Sequence, residues 1–246
     1  MNNAVVIIPT YNEKENIVSM VNTVLAMPEN FDLLVVDDNS PDGTAEMVKQ
    51  LQITFNGRLH ILQRKGKEGL GRAYIAGFKW ALENNYNYIF EMDADFSHNP
   101  ADLSKLYHSC LNEATDLAIG SRYVSGVNVI NWPISRVLMS YFASIYVKMI
   151  TGMKIHDATA GFKCFRRRVL ETLDLDKIQF KGYAFQIEMK FATWKLGFNI
   201  KEIPIVFTDR KAGSSKMTGG IFNEALFGVI IMKYRSLFRS YRKKNE

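Results

Sequence analysis

Short runs of β-branched and aliphatic residues alternate along the first half of the chain with longer stretches whose apolar positions recur every three or four residues. Residues 5–8, 33–37, 59–63, 88–92 and 117–121 read as strands, and residues 14–25, 44–51, 71–84 and 101–113 between them as helices. Four successive strand-to-helix crossovers predict an α/β fold, a mostly parallel doubly wound sheet with helices on both faces. Such sheets bind ligands beyond the carboxyl ends of their strands, so those ends are where chemistry is expected.

The second half is less regular. A helical pattern covers 134–150, a short strand-like piece 161–165, a helix 183–196, a strand 200–207, and a further helix follows. No repeat or Pro/Ser-rich linker separates the halves, which predicts two lobes of one unit.

Composition narrows the field. With 246 residues, 47% of them hydrophobic, the chain can bury a core without staples. Cys110 and Cys164 stand alone, and the four histidines show no HxxxH or HExxH spacing, which argues against a disulfide framework or zinc hydrolase chemistry. The apolar run at the start stops at Pro9 and reads as a strand rather than a signal peptide, so a cytoplasmic chain is expected. The longest uncharged apolar stretch, 137–147, falls short of the roughly 20 residues that span a bilayer.

The net charge of +6 is concentrated at one end. Lys233, Arg235, Arg239, Arg242, Lys243 and Lys244 face only Glu246 there, while residues 1–231 carry 25 basic and 24 acidic groups. A neutral body without a basic groove argues against nucleic acid. Phe222, Leu226, Val229, Ile230, Leu237, Phe238 and Tyr241 recur at helical spacing beside the cations, the pattern of a basic amphipathic helix on an anionic membrane surface.

The strand ends carry acids rather than a glycine-rich phosphate loop. After the second strand come Asp37 and Asp38, then Pro41, Asp42 and Gly43, which suffice for a turn and helix cap; the paired carboxylates look superfluous to capping, and Asp38 is placed to accept bonds from a nucleobase or ribose. After the fourth, Asp93 and Asp95 are two apart and, in extended chain, face one side, where they can hold one divalent ion. A second pair, Asp174 and Asp176, lies between helical patterns and reads as surface charge. Arg122 follows the fifth strand. Arg136, Ser140, Ser144 and Lys148 then recur every four residues on an otherwise apolar helix, which reads either as a core helix with a solvated edge or as a lipid surface with a cationic rail.

Taken in order, Pro-Thr-Tyr-Asn-Glu-Lys-Glu-Asn (9–16), Val-Val-Asp-Asp-Asn-Ser-Pro-Asp-Gly-Thr (35–44), Gly-Leu-Gly-Arg-Ala-Tyr (69–74), Met-Asp-Ala-Asp-Phe-Ser-His (92–98), Gly-Ser-Arg-Tyr (120–123), Lys-Gly-Tyr-Ala-Phe-Gln-Ile-Glu (181–188) and Asp-Arg-Lys-Ala-Gly-Ser-Ser-Lys (209–216) resemble the family 2 glycosyltransferases of the GT-A fold, and within them the dolichol or polyprenol phosphate mannose synthases. The resemblance implies that Pro9, Tyr11, Glu13, Val36 and Asp38 bind the guanosine of GDP-mannose. It gives Asp93, Ala94 and Asp95 the donor diphosphate with a Mg or Mn ion, the two aspartates being the metal ligands, while Ser97 stands where some relatives have a Gln ligand. Arg122, Arg136 and Ser140 match the acceptor-phosphate positions, and Arg210 and Lys216 match lid residues that reach the donor. Asp95, Arg122 and Arg210 are thereby the catalytic candidates.

The same resemblance implies inverting transfer of mannose to dolichyl or polyprenyl phosphate at the cytoplasmic face of a membrane. It divides one catalytic domain into a nucleotide-sugar lobe (1–123), an acceptor lobe and lid (124–216) and a basic C-terminal helix (217–246). The chain resembles short members without C-terminal transmembrane helices, for which a small membrane-anchoring subunit is a candidate partner. A UDP-sugar donor (glucose or an N-acetylhexosamine) and a non-catalytic subunit of the same fold are the alternatives.

Overall fold

The computed structural model describes residues 3–55, 57–112, 114–209 and 219–244. Five strands, β1 (Ala4–Thr10), β2 (Asp32–Asp37), β3 (Leu59–Gln63), β4 (Tyr88–Glu91) and β5 (Leu117–Ser121), alternate with α1 (Lys14–Leu25), α2 (Thr44–Thr54), α3 (Leu70–Glu83) and α4 (Asp102–Asn112), as the periodicity predicts. There follow β6 (Val129–Ile130), α5 (Ile134–Thr151), β7 (Lys163–Arg166), α6 (Arg167–Thr172), α7 (Tyr183–Lys195), β8 (Ile200–Pro204), β9 (Phe207–Thr208) and α8 (Gly219–Phe238). The large sheet runs β3-β2-β1-β4-β7-β5-β8, and β6 pairs with β9 in a second, two-stranded sheet.

Successive side chains on a strand face opposite ways, so an unbroken apolar strand feeds two cores. In β1, Val5 and Ile7 pack with Tyr74 and Phe78 of α3, Phe191 of α7 and Met232 of α8. Val6 and Ile8 pack with Met20 and Val24 of α1, Val48 of α2 and Leu106 of α4. Each such buried side chain contributes about 1.5 to 3 kcal/mol.

The second half departs from the sequence-based expectation in three places. β7 runs antiparallel to both β4 and β5, between which it lies. The strand expected over 200–207 is two, because Pro204 lacks an N–H; Ile205 makes a last bond to Ser121, and the chain turns away to pair with β6. The polar stripe on α5 is not one edge: steps of four drift around a helix, so Ser144 is buried while Lys148 is exposed. Ile134, Leu138, Phe142 and Met149 of that helix face outward, which agrees with an apolar surface and not with a core helix.

The C-terminal apolar stripe also divides. Val229, Met232 and Tyr241 enter the core, whereas Ile230, Leu237 and Phe238 are exposed, and the side chains of Phe222 and Leu226 lie outside the description. Leu173 forms a bridge with Arg242, so the segment past α8 is docked on the body. Among the described residues, no helix is long and apolar enough to cross a membrane.

Candidate active site

A cleft of about 810 Å³ opens at the carboxyl ends of β1, β2, β4 and β5. The acids at the end of β2 divide their work. Asp37 accepts bonds from Thr10 Oγ1 (2.9 Å) and from the Ser40 N–H and Oγ (2.9 and 2.6 Å), and Ser40 Oγ accepts the Asn12 N–H at 3.0 Å. Asp42 accepts the N–H groups of Thr44 and Lys14 (3.0 and 3.1 Å). These bonds tie the turn after β2 to the turn after β1, so Asp37 belongs to the turn's scaffolding, contrary to the expectation that both acids are superfluous to it.

Asp38 is the acid left facing the cleft, which Pro9, Tyr11 and Glu13 also line. Its Oδ1 is held by Arg64 Nη1 at 2.7 Å, and Arg64 Nη2 reaches Glu68 at 2.8 Å. Burial pushes the Asp38 carboxyl above its ordinary value, with Arg64 opposing. Val36 does not reach this cleft: the whole residue is buried in β2, paired with Pro9 of β1 and Leu62 of β3, with its side chain against α3. Lys67 sets its ammonium 4.6 Å from the Tyr11 ring centre.

β4 stops at Glu91, so Asp93 and Asp95 share the cleft through the bend that follows and not through strand alternation. The bend is tight: Phe96 adopts φ 58°, uncommon for a bulky residue. Asp95 Oδ1 accepts the Ser97 N–H at 3.1 Å and Oγ at 2.6 Å, so Ser97 orients Asp95. The Asp93 N–H donates to His98 Nδ1 at 3.3 Å, and the Tyr74 hydroxyl lies 3.5 Å from Asp93 Oδ1. Burial pushes His98 below its ordinary value, which with Nδ1 accepting leaves a neutral ring; it stacks on Phe162 at 5.0 Å. Beneath the bend, fully buried Lys163 pairs with Glu91 at 3.0 Å and donates to Gln186.

Across the cleft, Arg122 grips Asp157 through Nε and Nη2 (2.7 and 2.6 Å), and Nη2 also reaches Thr159 at 2.8 Å. Arg136 pairs with Asp209 at 2.9 Å and stacks 4.0 Å from the Trp132 ring centre. Ser140 lies one turn along α5 and lines the same cleft. Apolar side chains share the lining, among them Leu70, Ala73, Met139, Phe142, Tyr146 and Ile187.

The structure thus brings Pro9, Tyr11, Glu13, Asp38, Asp93, Ala94, Asp95, Arg122, Arg136 and Ser140 to one cleft. Arg210 and Lys216 lie outside the described residues. Among the described residues, no group of three His, Cys, Asp or Glu could hold a metal by itself. Two hard carboxylates instead suit an ion whose remaining ligands come from a diphosphate and water. Sequence reasoning missed Asp157, Trp132, Arg64 and the Glu91–Lys163 pair. His98 and Tyr74 stood at the ends of recognised motifs without a role.

Residues 5–174 match the model of glycosyl transferase family 2. The chain is 46% identical over 224 residues to a polyprenol monophosphomannose synthase of Mycolicibacterium smegmatis, covering 91% of this chain and 84% of that protein. It is also 46% identical over 224 residues to an undecaprenyl-phosphate mannosyltransferase of Micrococcus luteus, covering 91% and 90%. Among solved structures, glucosyl-3-phosphoglycerate synthase of Mycobacterium tuberculosis with Mn2+, UDP-glucose and phosphoglyceric acid superposes with TM-score 0.69 at 16% identity, over 94% of this chain and 79% of that one. A mannosyltransferase of Pyrobaculum calidifontis with GDP-Man and Mn2+ superposes with TM-score 0.60 at 16% identity, over 99% and 66%. These neighbours share the α/β sandwich about a mostly parallel sheet, and with the matching family model and the two close relatives they make this chain a member of glycosyl transferase family 2.

Proposed function

We propose that the protein transfers mannose from GDP-mannose to a polyprenyl phosphate, with inversion at the anomeric carbon. One observation carries the reading: a carboxylate pair suited to a metal diphosphate and the cations Arg122 and Arg136 line a single cleft together with many apolar side chains. The names of the two close relatives supply the sugar and the lipid class.

In this reading Pro9, Tyr11, Glu13 and Asp38 hold the guanosine. Asp93 and Asp95 would hold a Mg or Mn ion, which supplies charge to the departing diphosphate. Ser97, His98 and Tyr74 keep the two carboxylates in place. A phosphate acceptor is already ionised near neutral pH, so attack on the anomeric carbon needs no general base. The obstacle is repulsion: two unit negative charges 4 Å apart cost about 4 kcal/mol at an effective dielectric near 20. Arg136 and Ser140 take the acceptor phosphate. Arg122, fixed in direction by Asp157, adds positive potential without moving.

The first isoprene units lie along the apolar side chains of the cleft. The outward faces of α5 and α8, with Phe142, Met149, Ile230 and Phe238, enter the headgroup region of an anionic bilayer, and the cations that follow α8 anchor there. The chain then acts as one catalytic domain: 1–123 binds the donor, 124–216 the acceptor, and 217–246 the cytoplasmic membrane surface. The test offers labelled GDP-mannose, UDP-glucose and UDP-N-acetylglucosamine with a short-chain polyprenyl phosphate. GDP-mannose alone should yield a metal-dependent β-mannosyl phospholipid; preferential use of a UDP-sugar would overturn the donor assignment.

A further inference from the structure

Lys181 and Gly182 line one rim of the cleft, and Gln179 and Phe180 lead into that rim from a pocket they share with Glu188 and Tyr241. They are held from two sides. Towards α3, the Gly71 N–H donates to the Lys181 carbonyl at 2.8 Å, and a Cβ on Gly71 would lie 2.8 Å from the Phe180 carbonyl oxygen. Towards α8, a Cβ on Gly228 would lie 2.8 Å from Phe180 Cε1, so two glycines allow the Phe180 residue to sit between the helices.

Glu188, buried on α7, joins this rim to the end of the chain. Its Oε2 accepts the N–H groups of Gln179 and Phe180 at 2.9 and 3.1 Å, while Oε1 accepts the Tyr241 hydroxyl at 3.3 Å. A carboxylate bonded through one oxygen can rotate about its last side-chain torsion; donors on both oxygens fix its plane. Tyr241 is itself immobilised. The Asp174 N–H donates to its carbonyl at 2.8 Å, the Lys243 N–H donates to Thr172 at 2.8 Å, and its ring meets Phe191 edge-on.

We propose that Tyr241 is a positioning residue for the cleft. Acting through Glu188, it fixes the backbone of residues 179–182, so that the segment after α8 sets the shape of the rim past which substrates enter. The inference rests on the reading of this cleft as the site of glycosyl transfer.

The test uses full-length Tyr241→Phe, which keeps the buried ring, and Glu188→Gln, with a water-soluble short-chain polyprenyl phosphate and no bilayer, so that the charges of the tail play no part. Amide exchange is followed in the peptide spanning 178–183 and in β1, beside steady-state kinetics and GDP binding. Tyr241→Phe should speed exchange at 178–183 and lower kcat, each about threefold to tenfold, the worth of one hydrogen bond, with β1 exchange and GDP affinity unchanged. Glu188→Gln should move the same readouts further. Unchanged exchange at the rim, faster exchange in β1 as well, or a looser rim with unaltered kcat would each overturn the proposal. Absence of sugar transfer by the parent protein would instead count against the functional reading, while the exchange comparison would still report whether Tyr241 holds the rim.

Discussion

Arg122 and Asp157 meet as two parallel charge-assisted bonds, and Asp157 Oδ2 takes the Arg122 backbone N–H as well, at 2.9 Å. The carboxylate is fully buried and the arginine nearly so. Removing one partner of such a pair leaves the other buried and uncompensated, which costs about 3 to 5 kcal/mol. Asp157→Ala should lower the unfolding free energy measured by urea titration by that order and abolish transfer, whereas Arg122→Lys should keep most stability but lose the forked geometry and most turnover.

The same pair sets an acid limit. Burial would raise the Asp157 carboxyl, but the Arg122 charge and bonds more than reverse this and hold it below the ordinary value of 3.8. A depressed folded value means stability that is fully present above the unfolded value and is lost as pH falls through the folded one. Urea titrations between pH 6 and 3 should therefore show a decline below about pH 4 in the parent protein that is smaller in Asp157→Asn.

Asp95→Ala should reduce turnover at least about a hundredfold without unfolding the protein, and excess chelator should do the same to the parent. Asp174→Ala is the internal control. That carboxylate is partly exposed and pairs with Lys177 at 2.6 Å, an arrangement worth less than about 1 kcal/mol. Full activity of the parent in excess chelator would remove the divalent ion from the mechanism.

Arg136→Ala should raise the acceptor KM about tenfold to a hundredfold, the range for one hydrogen bond between charged groups, and leave GDP affinity nearly unchanged. Its bond to Asp209 marks the place an acceptor phosphate would take. Equal loss of donor binding, measured by calorimetry, would reassign the residue to the nucleotide.

Changing Arg242, Lys243 and Lys244 together to Gln should weaken binding to anionic vesicles by about 3 kcal/mol, at about 1 kcal/mol per cation. The parent should release as salt rises, since the Debye length falls from about 10 Å at 0.1 M to 3 Å at 1 M. Activity on a short soluble acceptor should survive the triple change. Truncation after Met232 is a different experiment, because it deletes Tyr241 from the core and should destabilise the whole domain.

The first five strands and four helices were legible in the chain because each carries its own periodicity and each crossover is local. Asp38, Asp93 and Asp95 followed from their places at strand ends, whereas Pro9, Tyr11, Glu13 and Val36 came only from the family resemblance. What the sequence hid was pairing across long separations: nothing near Asp157 announces Arg122, 35 positions earlier, and Glu91 and Lys163 look like surface charges until β7 is set beside β4. Asp37 was misjudged because its partners, Thr10 and Ser40, meet it only when β1 and β2 are paired. The stripes on α5 and α8 were visible, but periodicity alone does not say whether an apolar face looks inward or outward.

β7 runs against its neighbours, and this has an evolutionary consequence. A reversed strand begins where β5 ends, at the same margin of the sheet, so residues 122–162 leave and return without crossing the sheet. That excursion, which carries β6, α5, Arg136 and Asp157, is a cassette: its length and lining can be rewritten without shifting the register of β1, β2 and β4, whose ends carry the residues proposed for the donor. Diversification of what receives the sugar is thus uncoupled from what delivers it, and chimeras exchanged at Ser121 and Lys163 are the natural units in which to inherit, or engineer, a new acceptor.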